Sequence, residues 1–426
     1  MVSSETAPTE TPPESAKVET LSTSTEPTYD PFWIAPSVYC PGRDAENPPV
    51  CTEAMIQEFS HILGWKVMSV DAHIGHGVYN VVYSLVTEDA AGPDCVARIC
   101  YNFKDTHEGR EFARSMTKID IAALEFVANQ APNLLVPRVL GYNTDPQNKV
   151  NAPFILQSKL HGINLAQTAS NPNLWEKFNF HVFVPELATA MVQLFDIVLP
   201  AKIGEVVGIG PLPGSPIIGP FTDCEIFSGG GPFSSAKEYF LWRIAATKWK
   251  EIYEAVVDVP ALLGRLEVLA RRLLKRLEDL DPLLLSIRPV HLDPHDRNVL
   301  VHDSHFAGLV DWQASFSFMA AEFPPYLRSD GMYEAQYAAL NEDRSIRHMN
   351  AHIRPGREEA EVLRGSYLAA AAVKSPIYAK ALQEGAVLRQ LVEWLNFVDW
   401  DGDFVWAGLE LWETRQTAAL DSREGH

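Results

Sequence analysis

The stretch Val290–Gln313, VHLDPHDRNVLVHDSHFAGLVDWQ, places His291, Asp293, His295, Asp296 and Asn298 between short apolar runs. IRPV leads into it, VLV follows Asn298, and FAGLV delivers Asp311 thirteen residues after Asn298. Short apolar runs bounded by polar turn residues read as strands. The spacing therefore predicts a loop and two short strands that can bring a carboxylate, a carboxamide and a second carboxylate to one point.

Outward from this stretch the chain divides in two. Cys51 to Leu160 combines strand-like pieces (three within WKVMSVDAHIGHGVYNVVYSLVTEDAAGPDCVARICY, then VPRVLGYNTD and APFILQSKL) with one principal helical segment, MTKIDIAALEFVANQAP. After Gly162 the character is helical. In VPALLGRLEVLARRLLKRLEDLDP, Leu262, Leu266, Leu269, Leu273, Leu277 and Leu280 form one stripe at spacings of three and four, which predicts a helix with one buried face. VVGIGPLPGSPIIGPFTDCEIFSGGGPF reads as a Gly/Pro-rich loop. Segregated strands and helices make the fold class α+β, with a disordered tail over 1–30, a β-rich lobe over 31–158 and a helical lobe over 159–426. The tail is rich in Ser, Thr, Pro and Glu and has too little apolar surface to offset the entropy of ordering.

Composition narrows the function. With 46% hydrophobic residues the 426-residue chain can bury a sizeable core. Five cysteines (Cys40, Cys51, Cys95, Cys100, Cys224) without a paired motif read as reduced thiols of an intracellular, cytoplasmic protein. A net charge of −20 argues against nucleic acid or an anionic membrane as the main partner and suits a cationic small ligand. No secretory leader and no run of about 18 apolar residues is visible.

The residue set of the opening stretch is what phosphoryl transfer requires. One carboxylate accepts or orients the acceptor's hydroxyl proton, and an oxygen-donor pair holds Mg²⁺ against the phosphates. A surface turn and a metallohydrolase site built on His291, Asp293, His295 and Asp296 are the competing interpretations. The pattern HLDPHDRNVLV…GLVDWQ resembles the catalytic and metal loops of the aminoglycoside phosphotransferase and choline kinase-like family of small-molecule kinases, which have a protein-kinase-like fold. The resemblance runs from Val67 to about Pro325. It implies ATP and Mg²⁺ as cofactors, Asp293 as catalytic base, Asn298 and Asp311 as magnesium ligands, and His291 and His295 as braces of the loop. The implied acceptor is a hydroxyl of a small molecule: an amino alcohol, an aminoglycoside-like or a sugar-like compound.

The same resemblance assigns the first lobe. IGHGVYNVV offers Gly75, Gly77 and Asn80 at a nucleotide-facing hairpin, with Asn80 where a third glycine is common. CVARIC places Arg98 where the family has lysine, and Asp120 stands on the following helix where it has glutamate, with Glu125 as a competing partner. An Arg–Asp pair can span the gap of a Lys–Glu pair, because arginine's fork reaches further. In FILQSKLHG, the backbone of Gln157, Ser158 and Lys159 is expected to meet the adenine edge. The exchange of Arg for Lys also admits a nucleotide-binding pseudokinase. Trp394, Phe397, Trp400, Phe404, Trp406 and Trp412 are read as core packing in preference to an amine cage.

Overall fold

The structure is a computed structural model that describes residues 52–77, 79–88, 94–101, 103, 105–210, 215–221, 230–247, 257–291, 294, 297–312, 315–319, 357–401 and 403–424. The expected tail, Asp293 and His295 lie outside the described residues.

The chain opens with α1 (Thr52–Leu63), which buries Met55 and Phe59, one turn apart, against the first sheet. That sheet contains β1 (Val67–His76), β2 (Asn80–Thr87), β3 (Cys95–Cys100), β4 (Val139–Asn143) and β5 (Phe154–Ser158), in the order β1-β2-β3-β5-β4. Every neighbouring pair is antiparallel. Strand alternation sorts the side chains. Ala97 and Ile99 pair with Leu156 and Phe154 and enter the small-lobe core with Phe59 and Val81, while Val96 and Arg98 face the other way. All six residues of β3 are nevertheless buried.

The other face is covered by α2 (His107–Gln130), which starts where Thr106 Oγ1 accepts from Gly109 N at 3.1 Å. α2 belongs to both cores: Ala113 packs in the small lobe and Ala122 to Ala128 in the large one. Asp120, between these two stretches, lies at the seam of the lobes.

The large lobe follows through β6 (Ile163–Asn164), the short helices α3 (Leu165–Ser170) and α4 (Pro172–Trp175), and α5 (Phe180–Phe195). The segment expected to be a loop corrects the sequence reading. It contains β7 (Gly204–Ile209) and β8 (Pro216–Gly219), an antiparallel hairpin. Its glycines mark close backbone approach, for a Cβ on Gly204 would lie 2.1 Å from the carbonyl oxygen of Gly219. Pro216 heads an edge strand, where a missing N–H costs no ladder bond.

Next come α6 (Ala236–Thr247), α7 (Val259–Leu280), a 3₁₀ turn over Pro282–Leu285, β9 (Ile287–His291), β10 (Val299–His302), β11 (His305–Leu309) and β12 (Ser315–Met319). α8 (Arg357–Lys374), α9 (Pro376–Glu384), α10 (Ala386–Asp401) and α11 (Asp403–Glu424) close the described chain. Leu262, Leu266, Leu269, Leu273 and Leu277 are buried as the stripe requires, but Leu280 at the helix end is 46% exposed. Two further sheets, β11-β10-β6 and β8-β7-β12-β9, carry the strands of the Val290–Gln313 stretch. The architecture is α+β, with a β-rich first lobe and a mainly helical second one, as the sequence leads one to expect. No described helix is long and apolar enough to cross a membrane.

Gly162 seats β6 against β10. Its φ is +138°, and a Cβ there would lie 2.7 Å from the carbonyl oxygen of Val301. Gly162→Ala is expected to destabilise the protein by roughly 1–3 kcal/mol, through strain and clash together. Urea denaturation measures this, and an unchanged midpoint would show that the crossing yields freely.

Candidate active site

Arg98 is the centre of the described site. β3 points it away from the small-lobe core and it is only 7% exposed. Its Nε lies 3.0 Å from Asp120 Oδ2, and its Nη2 donates to Asp311 Oδ1 at 2.6 Å. One guanidinium thus joins a strand, a helix and the residue two past β11. A planar fork can serve two carboxylates in different directions, whereas a lysine ammonium brings a single compact charge. Glu125, the competing partner, is half-buried, and burial raises its carboxyl above the ordinary value.

Burial works against the charge on Arg98, but Asp120 and Asp311 overcome it and hold the guanidinium above its ordinary range. Asp120 behaves differently. Burial pushes its carboxyl up to about 6, Arg98 pulls it back, and Asp311 adds to the rise. Among the described residues neither buried oxygen of Asp120 accepts a hydrogen bond, so burial outweighs the Coulombic contact with Arg98.

The frame around Asp311 is built from main chain and two aromatic rings. His291 Nε2 donates to the carbonyl of Val310 at 2.9 Å, which fixes the tautomer with hydrogen on Nε2. The His291 ring stands edge-on to Trp312, with centroids 4.9 Å apart. Trp312 Nε1 donates to Leu309 O at 3.0 Å, and Val310 N donates to Asn298 O at 2.9 Å. Asp311 itself has φ +64°, a left-handed backbone that costs most residues about 1–2 kcal/mol and Asp or Asn less. Asn298 is buried and Asp311 is half-buried. Their hard oxygens suit a magnesium ion. Among the described residues no group of three or more His, Cys, Asp or Glu could hold a metal. His302 and His305, the two histidines next along the stretch, stand exposed beside Asp303 and Glu186, at 3.5 and 2.7 Å.

The nucleotide-side residues divide. The β1–β2 turn closes on itself where Gly77 N donates to Asn80 O at 2.8 Å, and Tyr101 Oη ties it to the end of β3 by donating to Gly77 O at 3.1 Å. Gly75 of β1 pairs with Val82 of β2, and Asn80 is buried. Ser158 N donates to Arg138 O at 2.9 Å and Lys159 N to Asp94 O at 2.8 Å, so both backbone donors are engaged inside the lobe. Lys159 Nζ reaches Ser84 Oγ at 3.3 Å. Trp394, Trp406 and Trp412 are buried in the large core, which agrees with the packing interpretation. The side chains of Phe397, Trp400 and Phe404 lie outside the described residues. Sequence reasoning missed two residues of the frame, Tyr101 and the bracing role of Trp312. The Asp-Trp step after the last strand was the available signal for Trp312, and nothing in the spacing marks Tyr101.

Comparison with known proteins bears on this arrangement. Residues 234–323, which include β9, β10, β11 and Asp311, match the model of the phosphotransferase enzyme family, APH. The chain is similar to that family. A curated relative, Clavilactone A biosynthesis cluster protein Y of Ampulloclitocybe clavipes, is 24% identical over 325 residues, covering 74% of this chain and 76% of the relative. Among solved structures, aminoglycoside phosphotransferase APH(4)-Ia aligns with a TM-score of 0.46 at 14% identity, over 87% of this chain and 98% of its own. Macrolide 2′-phosphotransferase MphH of Brachybacterium faecium aligns with a TM-score of 0.41 at 13% identity, over 84% and 97%.

The raised carboxyl of Asp120 gives a pH signature. A group whose folded value lies above its unfolded value of about 4 stabilises fully below that value, and the contribution is lost as pH rises through the folded one. For Asp120 the folded value is about 6. Wild type compared with Asp120→Asn in thermal denaturation is therefore expected to lose ground from about pH 4 to pH 7. A difference that stays flat across this window would show that Asp120 does not titrate there.

Proposed function

We propose that the chain is an ATP-dependent phosphotransferase that moves the γ-phosphoryl of ATP to a hydroxyl of a small molecule. The observation that carries this reading is the buried Arg98 held between Asp120 and Asp311 at the seam of the lobes. The family match over 234–323 supports it independently. Phosphoryl transfer asks a protein mainly for positioning and electrostatic stabilisation, and an arginine fork is matched to phosphate oxygens.

In the proposed step the acceptor oxygen attacks the γ-phosphorus. Its bond to the β-phosphate oxygen breaks and ADP leaves. The acceptor's proton passes to Asp293, which orients the hydroxyl. Asn298 and Asp311 would hold magnesium, which supplies charge neutralisation at the phosphates when bound. His291 fixes the main chain at Val310 and so the direction of Asp311, and His295 is assigned a similar bracing role. The relative's name places it in a biosynthetic cluster, so hydroxyls of secondary metabolites belong in the acceptor panel beside amino alcohols and sugars. One observation favours a second reading, a nucleotide-binding pseudokinase: Asp311 is already hydrogen-bonded to Arg98.

ADP release over a panel of hydroxyl compounds separates the two, since a pseudokinase binds Mg·ATP and transfers nothing. Asp293→Asn is expected to keep Mg·ATP affinity and to lower turnover by about 10²–10⁴-fold, the usual cost of losing a general base. Full turnover with the true acceptor would remove Asp293 from that role. Asp311→Ala is expected to weaken ATP binding in the presence of magnesium and, by freeing Arg98, to strengthen it in its absence. Calorimetry giving the same Mg·ATP affinity as wild type would take Asp311 out of the metal site.

A further inference from the structure

Tyr101 follows β3 directly and belongs to the small-lobe core with Ile99 and Phe103. A phenylalanine would fill that place equally well. The hydroxyl adds a hydrogen bond to the carbonyl of Gly77 in the β1–β2 turn, at 3.1 Å. The backbone of the same residue adds another, since Tyr101 N donates to Tyr79 O at 3.0 Å. The turn closes on itself through Gly77 N and Asn80 O at 2.8 Å. The ring of Tyr79 lies against Phe112 of α2, with centroids 5.8 Å apart.

Strand register says where this turn stands. Cys95 of β3 pairs with Ser158 at one end of the strand, and Cys100 pairs with Asn80 at the other. Arg98 lies between them, opposite Val82. The turn therefore stands at the end of the sheet away from the connector, about 6–7 Å beyond Arg98 at the rise of a strand. β3 and α2 also carry the two halves of the buried pair, Arg98 and Asp120. Tyr101 and Phe112 thus tie the turn to the same two elements that fix the guanidinium. Gly77 is exposed, and an exposed turn opens readily unless contacts hold it. A phosphate group meeting a loose turn would lose affinity to the ordering of that turn, whereas a turn already in place spares it this loss.

We infer that Tyr101 is a positioning residue, whose hydroxyl holds the Gly77–Asn80 turn against β3 so that the turn is set for the triphosphate before nucleotide arrives. This rests on the phosphotransferase reading above and deepens it. Tyr101 acts through the turn, because a side chain this buried does not reach the nucleotide. What it supplies is the placement of the turn as a whole: the N–H and the carbonyl of Gly77 are both engaged within the protein. The turn, Arg98 and Asp120 then move as one unit.

Tyr101→Phe keeps the ring and removes the bond. The test compares this variant with wild type, both as the full chain, by hydrogen exchange without ligand and by calorimetry with Mg·ATP and with adenosine, which has the base and no phosphates. Exchange of the Gly77 amide, bonded to Asn80 O while the turn is closed, is expected to quicken about three- to tenfold, the worth of one neutral hydrogen bond. Exchange in α2 and the melting temperature should stay at wild-type values. Mg·ATP affinity should fall by up to the same factor, and adenosine affinity should hold. Unchanged exchange would overturn the inference, since the hydroxyl would then serve only its own burial. Faster exchange with unchanged Mg·ATP affinity would overturn it too, for the turn would be held without bearing on the nucleotide. Equal losses for Mg·ATP and adenosine would make Tyr101 a residue of lobe stability and overturn the positioning role. If wild type binds no Mg·ATP, the phosphotransferase reading falls and this inference with it, whatever the exchange shows.

Discussion

Arg98 is held in place by two carboxylates that come from opposite sides of the lobe seam, Asp120 on α2 and Asp311 beyond β11. Breaking a buried ion pair by removing one partner typically costs about 3–5 kcal/mol, because the remaining charge stays enclosed. Here the cost is compounded, since loss of Arg98 would leave the fully enclosed Asp120 with no counter-charge in the contacts described. The geometry also explains why β3 is buried on both faces. The small-lobe core takes Ala97 and Ile99, and the ion-pair side of the strand is closed by α2, whose own residues divide between the two cores. The orientation of α2 is therefore tied to the position of Asp311, and the two lobes are not independent of one another.

What keeps Asp311 in reach is a set of main-chain bonds. The sequence puts polar residues in bulk before β10, yet the described contacts that order the region use few side chains. Val310 is held from both of its polar groups: its N–H by the carbonyl of Asn298 and its carbonyl by His291. Trp312 fills the space under the imidazole and donates its own N–H to Leu309. With the residues on either side fixed, Asp311 tolerates its left-handed backbone, and its carboxylate leaves the strand direction toward β3. A residue in this conformation persists where the surroundings over-determine it, and the three hydrogen bonds His291–Val310, Val310–Asn298 and Trp312–Leu309 do so here.

Much of this was legible in the sequence. The alternation in CVARIC placed Val96 and Arg98 on one strand face, a local pattern of period 2, whereas Asp120 followed only from the family resemblance, with Glu125 left as a competing partner. The strands at Val290, Val299 and Phe306 followed from apolar runs bounded by turn residues. Three features were not legible, each for a physical reason. The Arg98–Asp311 bond joins positions 213 apart in the chain, and no local period encodes such a pairing. The β7–β8 hairpin was hidden because Gly204 and Gly219 serve a close crossing and Pro216 an edge, while in sequence the same residues signal a loop. The engagement of Ser158 and Lys159 depends on carbonyls supplied by Arg138 and Asp94, which lie on other segments.

The exchange of lysine for arginine has a consequence for how a nucleotide would enter. A single ammonium could neutralise one carboxylate well and leave the other free. The guanidinium engages both, so in this structure the cation proposed to bind phosphate and one of the two proposed metal ligands neutralise each other. Phosphates alone would have to compete with Asp311 for Arg98, and magnesium alone would have to compete with Arg98 for Asp311. Arriving together they exchange partners in one event: anion replaces carboxylate at Arg98, and cation replaces guanidinium at Asp311. Neither charge is then left exposed to a low dielectric on its own, which is the costly state. In the proposed reaction, nucleotide and metal therefore bind as a coupled pair, with Asp120 holding Arg98 on the sheet while Asp311 is released.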